Sequence, residues 1–447
     1  MTRSAQRFLR AMQCALLLAA IGDTPVAASA DPPPAGASVA ERIFAAAPSR
    51  LLQIRTLVAD AGRQTSVGSG FLVDAEGLAV TNYHVVSQAA LDPRTYVLEY
   101  GAADGSRGAV KLLAIDLAND LAVVRLDKHG ASFFAFDEET AARELGKGER
   151  LYSMGNPLDL GFTIVEGTYN GLVERSYNER IHFTGALNPG MSGGPAVTAD
   201  GQVAGINVAK RLGSELVSFL VPARFAAALV RRVHEHPGDP PTDFRAEIGR
   251  QLAAWQTELY RSLAAAGFRS SAFGPYQAPE ARAPWFTCWG QTNAGAVPKP
   301  RASINALNCA SGSRLFIAGD LNTGFIQLSH SHIRTVDLNQ FQFANLLSQQ
   351  SQPRLVGGGA PRKWFTPQRC HEDFVLTSAS QDRPPLRVSW CAQAYREFAG
   401  LYDVALVAVT EDRGTEALVS RLNLQAVGYD DAMALGRRFL EAVQWAK

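Results

Sequence analysis

From about Ser49 onward, short apolar runs alternate with turn residues. The first run covers 51–58. Runs at 68–73 and 77–81 form a hairpin pattern, with Asp74-Ala75-Glu76 as the turn. More follow at 96–100, 110–115, 121–126, 150–154, 163–169, 181–184, 194–197, 203–208 and 217–221, separated by Gly, Asn, Asp and Pro. About a dozen short strands with turn chemistry every ten or so residues predict an all-β sandwich or barrel. No long helical period lies between the runs, so a βαβ array is excluded.

The period changes after Pro222. Phe225, Leu229 and Val233 recur every four residues and predict a helix that closes a first unit spanning 45–235. His236-Pro237-Gly238-Asp239-Pro240-Pro241 reads as a linker, which puts a domain boundary at 236–242. Phe244, Ile248, Leu252, Trp255, Leu259 and Leu263 then form one apolar stripe. It predicts a helix over 243–267, capped by Thr242 or Asp243 and stopped by Gly267. Trp255 in that stripe reads as core. Residues 268–447 read as a second, β-rich region with loops such as Gly357-Gly358-Gly359-Ala360-Pro361. A terminal helix starts near Asp431, with Ala432, Leu435, Phe439 and Val443 on one face.

The N-terminus follows a different rule. Arg3, Arg7 and Arg10 precede an apolar stretch over 11–21, and Ala28-Ser29-Ala30 offers small residues for cleavage. This predicts a signal peptide over 1–30 and an exported, periplasmic or secreted, protein. The stretch is too short to span a bilayer comfortably, and no other run approaches the roughly 18 apolar residues a span needs. Residues 31–44 are Pro- and Ala-rich and read as a flexible lead-in.

Composition narrows the picture further. Apolar residues make up 47% and charged residues 19%, which favours packed structure over disorder. Net charge is +1 with no Lys/Arg run, so nothing suggests nucleic acid as a partner. Beyond Cys14, inside the predicted signal, four cysteines remain: Cys288, Cys309, Cys370 and Cys391. An even number in an exported chain reads as disulfides. Three connectivities are open; the equal gaps favour Cys288–Cys309 and Cys370–Cys391. Gaps of that length lack the close pairs of a zinc site. Trp285, Trp289, Trp364 and Trp390 lie near these cysteines in sequence and read as packing against the disulfides. His330 and His332 would share one face of a strand, and they are not read as metal ligands.

The candidate chemistry centres on Asn188-Pro189-Gly190-Met191-Ser192-Gly193-Gly194-Pro195. A serine hydroxyl needs an adjacent base to act as a nucleophile. His84, at the end of the run 78–81, is the candidate base. The imidazole needs a carboxylate to fix its tautomer. Asp120 stands directly before the apolar run 121–126; Asp116, four residues earlier, is the alternative. A developing oxyanion needs two donors, and the backbone N–H groups of Gly190 and Ser192 are available.

These segments, with Gly68-Ser69-Gly70-Phe71, Thr81-Asn82-Tyr83-His84-Val85-Val86, Asp120-Leu121-Ala122-Val123, Gly155-Asn156-Pro157 and Gly205-Ile206-Asn207, occur in one order over residues 45–235. That region resembles the trypsin-like, chymotrypsin-fold serine peptidases, and most closely their bacterial HtrA/Deg-like branch. The resemblance implies a mainly β protein with two perpendicular six-stranded antiparallel barrels and the site in the cleft between them. It implies His84 as base, Asp120 as orienter, Ser192 as nucleophile, and Gly190 with Ser192 as oxyanion hole. It implies a peptide or protein substrate and neither cofactor nor metal. Ala186, six residues before the serine, and Asn207 would belong to the substrate pocket. Alanine there supplies no charge, so small or medium apolar P1 residues are expected.

Three departures stand out. Met191 precedes the serine where peptidases switched on by zymogen cleavage carry Asp, so no activating salt bridge is expected. Ala186 replaces a charged pocket base. No PDZ module is recognisable in residues 243–447, so the peptide-tail recognition of that branch is not expected to transfer. The alternative reading is a silent or latent scaffold whose C-terminal region binds an envelope or surface partner.

Overall fold

The computed structural model describes residues 36–128, 132–136, 141, 143–210, 217–237, 240–355, 362–375 and 383–446, with side chains left out at 209–210. The predicted signal peptide, the first residues of the lead-in, Gly238 and Asp239 of the linker, and the glycine-rich loop at 357–361 lie outside them.

Twelve strands build two closed antiparallel barrels. The first contains β1 (Leu51–Val58), β2 (Arg63–Leu72), β3 (Leu78–Thr81), β4 (Tyr96–Ala102), β5 (Arg107–Asp116) and β6 (Leu121–Leu126), in the order β1-β2-β3-β6-β5-β4. The second contains β7 (Arg150–Gly155), β8 (Thr163–Leu172), β9 (Ile181–Thr184), β10 (Pro195–Val197), β11 (Val203–Lys210) and β12 (Ser218–Pro222), in the order β10-β11-β12-β9-β8-β7. The strand β6 shows why its sequence is apolar without alternation. Ala122 and Val124 face one buried cluster, and Leu121 and Val123 face another, so both faces are covered.

Helices join the barrels to their surroundings. In α1 (Val39–Ala46), the Ser38 hydroxyl accepts from the Glu41 N–H and the Glu41 carboxylate accepts from the Ser38 N–H. This capping box is worth on the order of 1 kcal/mol. The expected lead-in over 31–44 is therefore corrected: from Val39 it is helical, with Val39, Ile43 and Phe44 packed on the inter-barrel core. The helix α2 (Tyr83–Leu91) carries His84; α3 (Ala223–Glu235) closes the second barrel; α4 (Phe244–Ala266) is capped by Asp243, whose carboxylate accepts two backbone N–H groups.

The C-terminal half is a second β system. β13 (Phe268–Phe273) and β14 (Tyr276–Ala281) form a small sheet with the last strand. β15 (Phe286–Thr292), β16 (Ala302–Ser311), the short hairpin β17 (Leu315–Ala318) and β18 (Leu321–Thr323), and β19 (Ile326–Thr335) follow. After α5 (Gln340–Gln350) come β20 (Arg369–Val375), β21 (Leu386–Ala394), β22 (Leu401–Thr410) and β23 (Glu416–Gly428). The chain ends in α6 (Tyr429–Glu441) and β24 (Gln444–Trp445). Seven strands form one antiparallel sheet, β15-β16-β19-β23-β22-β21-β20. Cys288 faces Cys309 across β15 and β16, and Cys370 faces Cys391 across β20 and β21; both pairs are bonded. The two disulfides thus staple the two edge strands.

The linker does not separate independent bodies. One buried cluster runs from Leu52, Leu72 and Val124 of the first barrel, through Tyr83 and Val86 of α2 and Ile248, Leu252 and Leu259 of α4, to Leu418, Leu422 and Leu424 of β23. The stripe on α4 is core to both halves. Among the described residues, no helix is long and apolar enough to cross a membrane.

Candidate active site

The site grows out of the end of β3. Asn82 precedes α2, and its side-chain amide donates to the Asp120 carbonyl at 2.8 Å, which also accepts the Tyr83 N–H at 3.1 Å. Asp120 sits in the left-handed region, φ 60°, at the start of β6. That conformation costs a non-glycine residue on the order of 1 kcal/mol. Here it aims the carboxylate at α2. Oδ1 accepts the His84 backbone N–H at 2.8 Å and Oδ2 meets His84 Nδ1 at 2.6 Å. Asp116 instead accepts from Asn119, at 3.1 Å from its backbone N–H and 2.8 Å from its amide, and closes the turn in front of Asp120. Only one of the two candidate carboxylates reaches the imidazole.

His84 is half-buried, its side chain 27% exposed against 14% for Asp120. Burial pulls its pKa down. The Asp120 charge and hydrogen bond push it up, and together they prevail, so the imidazole titrates above its ordinary value. With Asp120 ionised the carboxylate can only accept, so Nδ1 carries the proton and Nε2 is left as the base.

Ser192 lies between β9 and β10, on a turn that glycine makes possible. Gly190 has φ 95° and Gly193 φ 87°. A Cβ at Gly193 would collide with the Ser69 carbonyl and the Thr81 hydroxyl. The loop is locked to the first barrel through Ser69. Its N–H donates to the Ser192 carbonyl at 2.7 Å, its hydroxyl donates to the Gly190 carbonyl at 2.7 Å, and its carbonyl accepts from Thr81 at 2.7 Å. This clamp sets Ser192 against the β3 end that carries His84. Ser69 was legible only as part of a glycine-flanked segment; its bracing role depends on contacts more than 100 residues away in sequence.

Among the described residues, the Gly190 and Ser192 N–H groups donate to no other group of the chain. The neighbouring Pro189 carbonyl accepts the Leu158 N–H at 2.9 Å. The Ser192 hydroxyl reaches the Val208 carbonyl at 3.5 Å, the outer limit of a hydrogen bond. Met191 is buried in the core of the second barrel.

The two pocket residues behave differently. Ala186 is exposed, on a loop anchored where the Ser218 hydroxyl donates to the Gly185 carbonyl at 2.7 Å. Asn207, also expected in the pocket, is buried, 1% exposed. Its Oδ1 accepts from Ser153, and its Nδ2 donates to the Met154 and Met191 carbonyls at 2.9 and 3.1 Å. Those bonds make it a second brace of the serine loop.

Arg180, which sequence reasoning missed, lies close enough to Asp120 and Asp116 for both charges to act on it. Burial holds its pKa down against them. Its guanidinium donates to the Ala118 carbonyl at 3.3 Å. Elsewhere, His330 and His332 use their ring nitrogens on Ser420, the Pro279 carbonyl and Glu416. Of the four tryptophans, Trp285, Trp364 and Trp390 join the shared core at separate places: Trp390 packs against Gly436 of α6, Trp364 stacks on Phe398, and Trp285 meets Phe286, while Trp289 is 44% exposed.

Comparison with known proteins gives matches over part of the chain. Residues 68–206 match the trypsin-like peptidase domain. A Brucella suis protein named "Probable periplasmic serine endoprotease DegP-like" is 34% identical over 177 residues, 38% of this chain and 33% of that protein. A Chlamydia muridarum protein of the same name is 32% identical over 195 residues, 42% of this chain and 37% of that one. The chain therefore spans about a third of the length of the curated relatives it matches. The crystal structure of the serine endoprotease from Yersinia pestis aligns at 21% identity and TM-score 0.39, over 46% of this chain and 69% of that one. The match to the trypsin-like peptidase domain is thus confined to residues 68–206, and proteins named DegP-like serine endoproteases are among the relatives of this chain.

Proposed function

We propose that the protein is a serine endopeptidase that cleaves peptide bonds through an acyl-enzyme on Ser192. The observation that carries this reading is the His84–Asp120 pair, bonded at 2.6 Å on the same β3 junction that clamps the Ser192 loop. In the proposed cycle, the Ser192 Oγ attacks the substrate carbonyl while His84 Nε2 takes its proton. The Gly190 and Ser192 N–H groups receive the oxyanion. The C–N bond breaks as His84 returns the proton to the leaving amine. Water, deprotonated by His84, then releases the acid and restores Ser192. Asp120 holds the tautomer and stabilises the imidazolium.

The uncharged Ala186 loop supports a preference for small or medium apolar P1 residues. The basic-then-apolar N-terminus and the periplasmic relatives support export. Labelling with a fluorophosphonate probe tests the reading: the wild type reacts and Ser192→Ala does not. A protein that cleaves peptides yet is indifferent to Ser192→Ala ends it. One observation favours a second reading, a latent scaffold. The Ser192 hydroxyl rests on Val208, so it must rotate before His84 can take its proton. A wild type that never labels, under any substrate or partner, favours that alternative.

A further inference from the structure

We propose that Phe316, from the C-terminal half, is a positioning residue for the His84 imidazole. The inference rests on the peptidase reading above. It assigns to the appended sheet a part in the cleft itself.

The hairpin β17–β18 lies across the start of α2. The Phe316 ring meets the His84 ring edge-to-face, with centroids 5.9 Å apart and planes at 70°. The same ring meets Tyr83 at 6.2 Å. Tyr83, fully buried, donates its hydroxyl to the Ile317 carbonyl at 2.8 Å. Neighbouring residues of α2 thus take neighbouring residues of the hairpin, more than 200 positions later in sequence.

A base in this chemistry changes partners twice per turnover. Asp120 fixes one ring nitrogen of His84 and one backbone N–H. A ring tethered at one atom can still swing about that contact, because its second side-chain torsion is broad. An aromatic ring packed edge-to-face on the imidazole restricts that freedom and would shield the Nδ1–Oδ2 bond from water. Phe316 is itself half-buried and packs on the shared core.

The hairpin is rigid enough for this task. Asp320, in its turn, accepts from the Trp364 indole at 2.9 Å and pairs with Lys363 at 2.7 Å. Thr323 is bonded to the Tyr395 hydroxyl at 2.6 Å, and Tyr395 donates to Asp403 of β22 at 2.7 Å. Just before β17, Ser313 donates to the Gly324 carbonyl at 2.6 Å. The hairpin is therefore held at its turn through Asp320, closed at its base by Ser313, and tied to the main sheet through Thr323 and Tyr395.

The experiment compares Phe316→Ala and Phe316→Leu in the full chain. Three readouts are taken: the probe-labelling rate, the kcat and KM on a peptide substrate, and the downfield Nδ1 proton resonance of His84. Phe316→Ala is expected to lower labelling and kcat about tenfold, as loss of one aromatic contact in a reacting geometry would. The resonance should broaden through exchange with water, while KM holds. Phe316→Leu, which keeps the bulk, should restore most of the rate and the resonance. Wild-type labelling with an unchanged resonance in Phe316→Ala overturns the proposal. So does a raised KM at constant kcat, which would make Phe316 a wall that substrate touches. If the wild type itself fails to label, the peptidase reading falls. The resonance still decides the positioning claim, because it needs no turnover.

Discussion

The two halves of this molecule solve the problem of the open strand edge in opposite ways. The barrels close, β4 onto β1 and β7 onto β10, and leave no edge. The C-terminal sheet stays open and bonds each outer strand to its neighbour through a disulfide. Closure leaves the barrel rims to carry chemistry, and both His84 and Ser192 stand at strand ends. The open sheet has one face free to receive α4 and, through α2, the first barrel. The halves differ in construction but share a core, and the comparison can be broken at that core.

The largest effect is expected from truncation. A chain ending at His236 loses α4 and the sheet, exposing Tyr83, Val86, Leu117 and the rest of that side of the cluster. It should express as insoluble or probe-silent protein. A soluble, probe-reactive fragment would show that the barrels stand alone and that the shared core is incidental.

Next in size is the orienter. Asp120→Asn should cost on the order of 10⁴ in kcat, because an amide cannot hold the imidazole in the base tautomer. Asp116→Asn keeps the Asn119 turn through its remaining oxygen and should cost little. A reversal of the two would move the orienting role to Asp116. The pH profile follows from the same pair. The His84 pKa is raised in the folded protein, so activity is lost as pH falls through a value above the ordinary imidazole range. The stability contribution of the pair has the opposite sense. It is fully present at acid pH and is lost as pH rises through that raised pKa. An acid limb below the ordinary range would mean that burial outweighs Asp120.

What could be read from the sequence follows the same division. Most barrel strands are legible because they are short, apolar and bounded by turn residues; the first half of β2, from Arg63, is polar and exposed and leaves no such pattern. The disulfide pairing was legible from two equal gaps of 21 residues. The helix α2 was not, because Tyr83, Val85, Val86, Ser87 and Ala90 are buried almost all round and leave no period. α5 was missed for the opposite reason: its stretch is rich in Gln, and its start is marked only by the Asn339–Gln342 capping box. The bonds by which Asn207 braces the serine loop, to Ser153, Met154 and Met191, cross between strands and leave no local pattern. Phe316 and Ser69 act through contacts remote in sequence, to which no local pattern points.

The staples come third. Replacing Cys288 and Cys309 with Ser should lower the stability of the sheet by about 3 kcal/mol on the chain-entropy account. The denaturant midpoint would read this. Probe labelling at low denaturant should persist, since the closed barrels hold no disulfide. A parallel loss of labelling would mean that the edge staple supports the hairpin on His84.

The smallest effect tests the sheet against itself in acid. Burial lowers the His330 pKa to about 4, so its share of stability is present at neutral pH and is lost as pH falls from the ordinary imidazole range toward 4. Burial raises the Asp403 pKa to about 6, so its share is gained over nearly the same window. The two groups oppose each other, and the wild-type sheet should lose less than about 1 kcal/mol from this pair between about pH 7 and 5. Asp403→Asn keeps an oxygen for the Tyr395 hydroxyl and the Ala426 N–H but removes the titration. With His330 unopposed, the loss over that interval should rise to about 2 kcal/mol. Urea midpoints of the two proteins at each pH give the difference directly, and other carboxylates cancel because they are common to both. Equal acid sensitivity in the two proteins would show that Asp403 does not hold a proton in the folded sheet. The Tyr395–Thr323 tie to the β17–β18 hairpin would then be anchored on a buried charge.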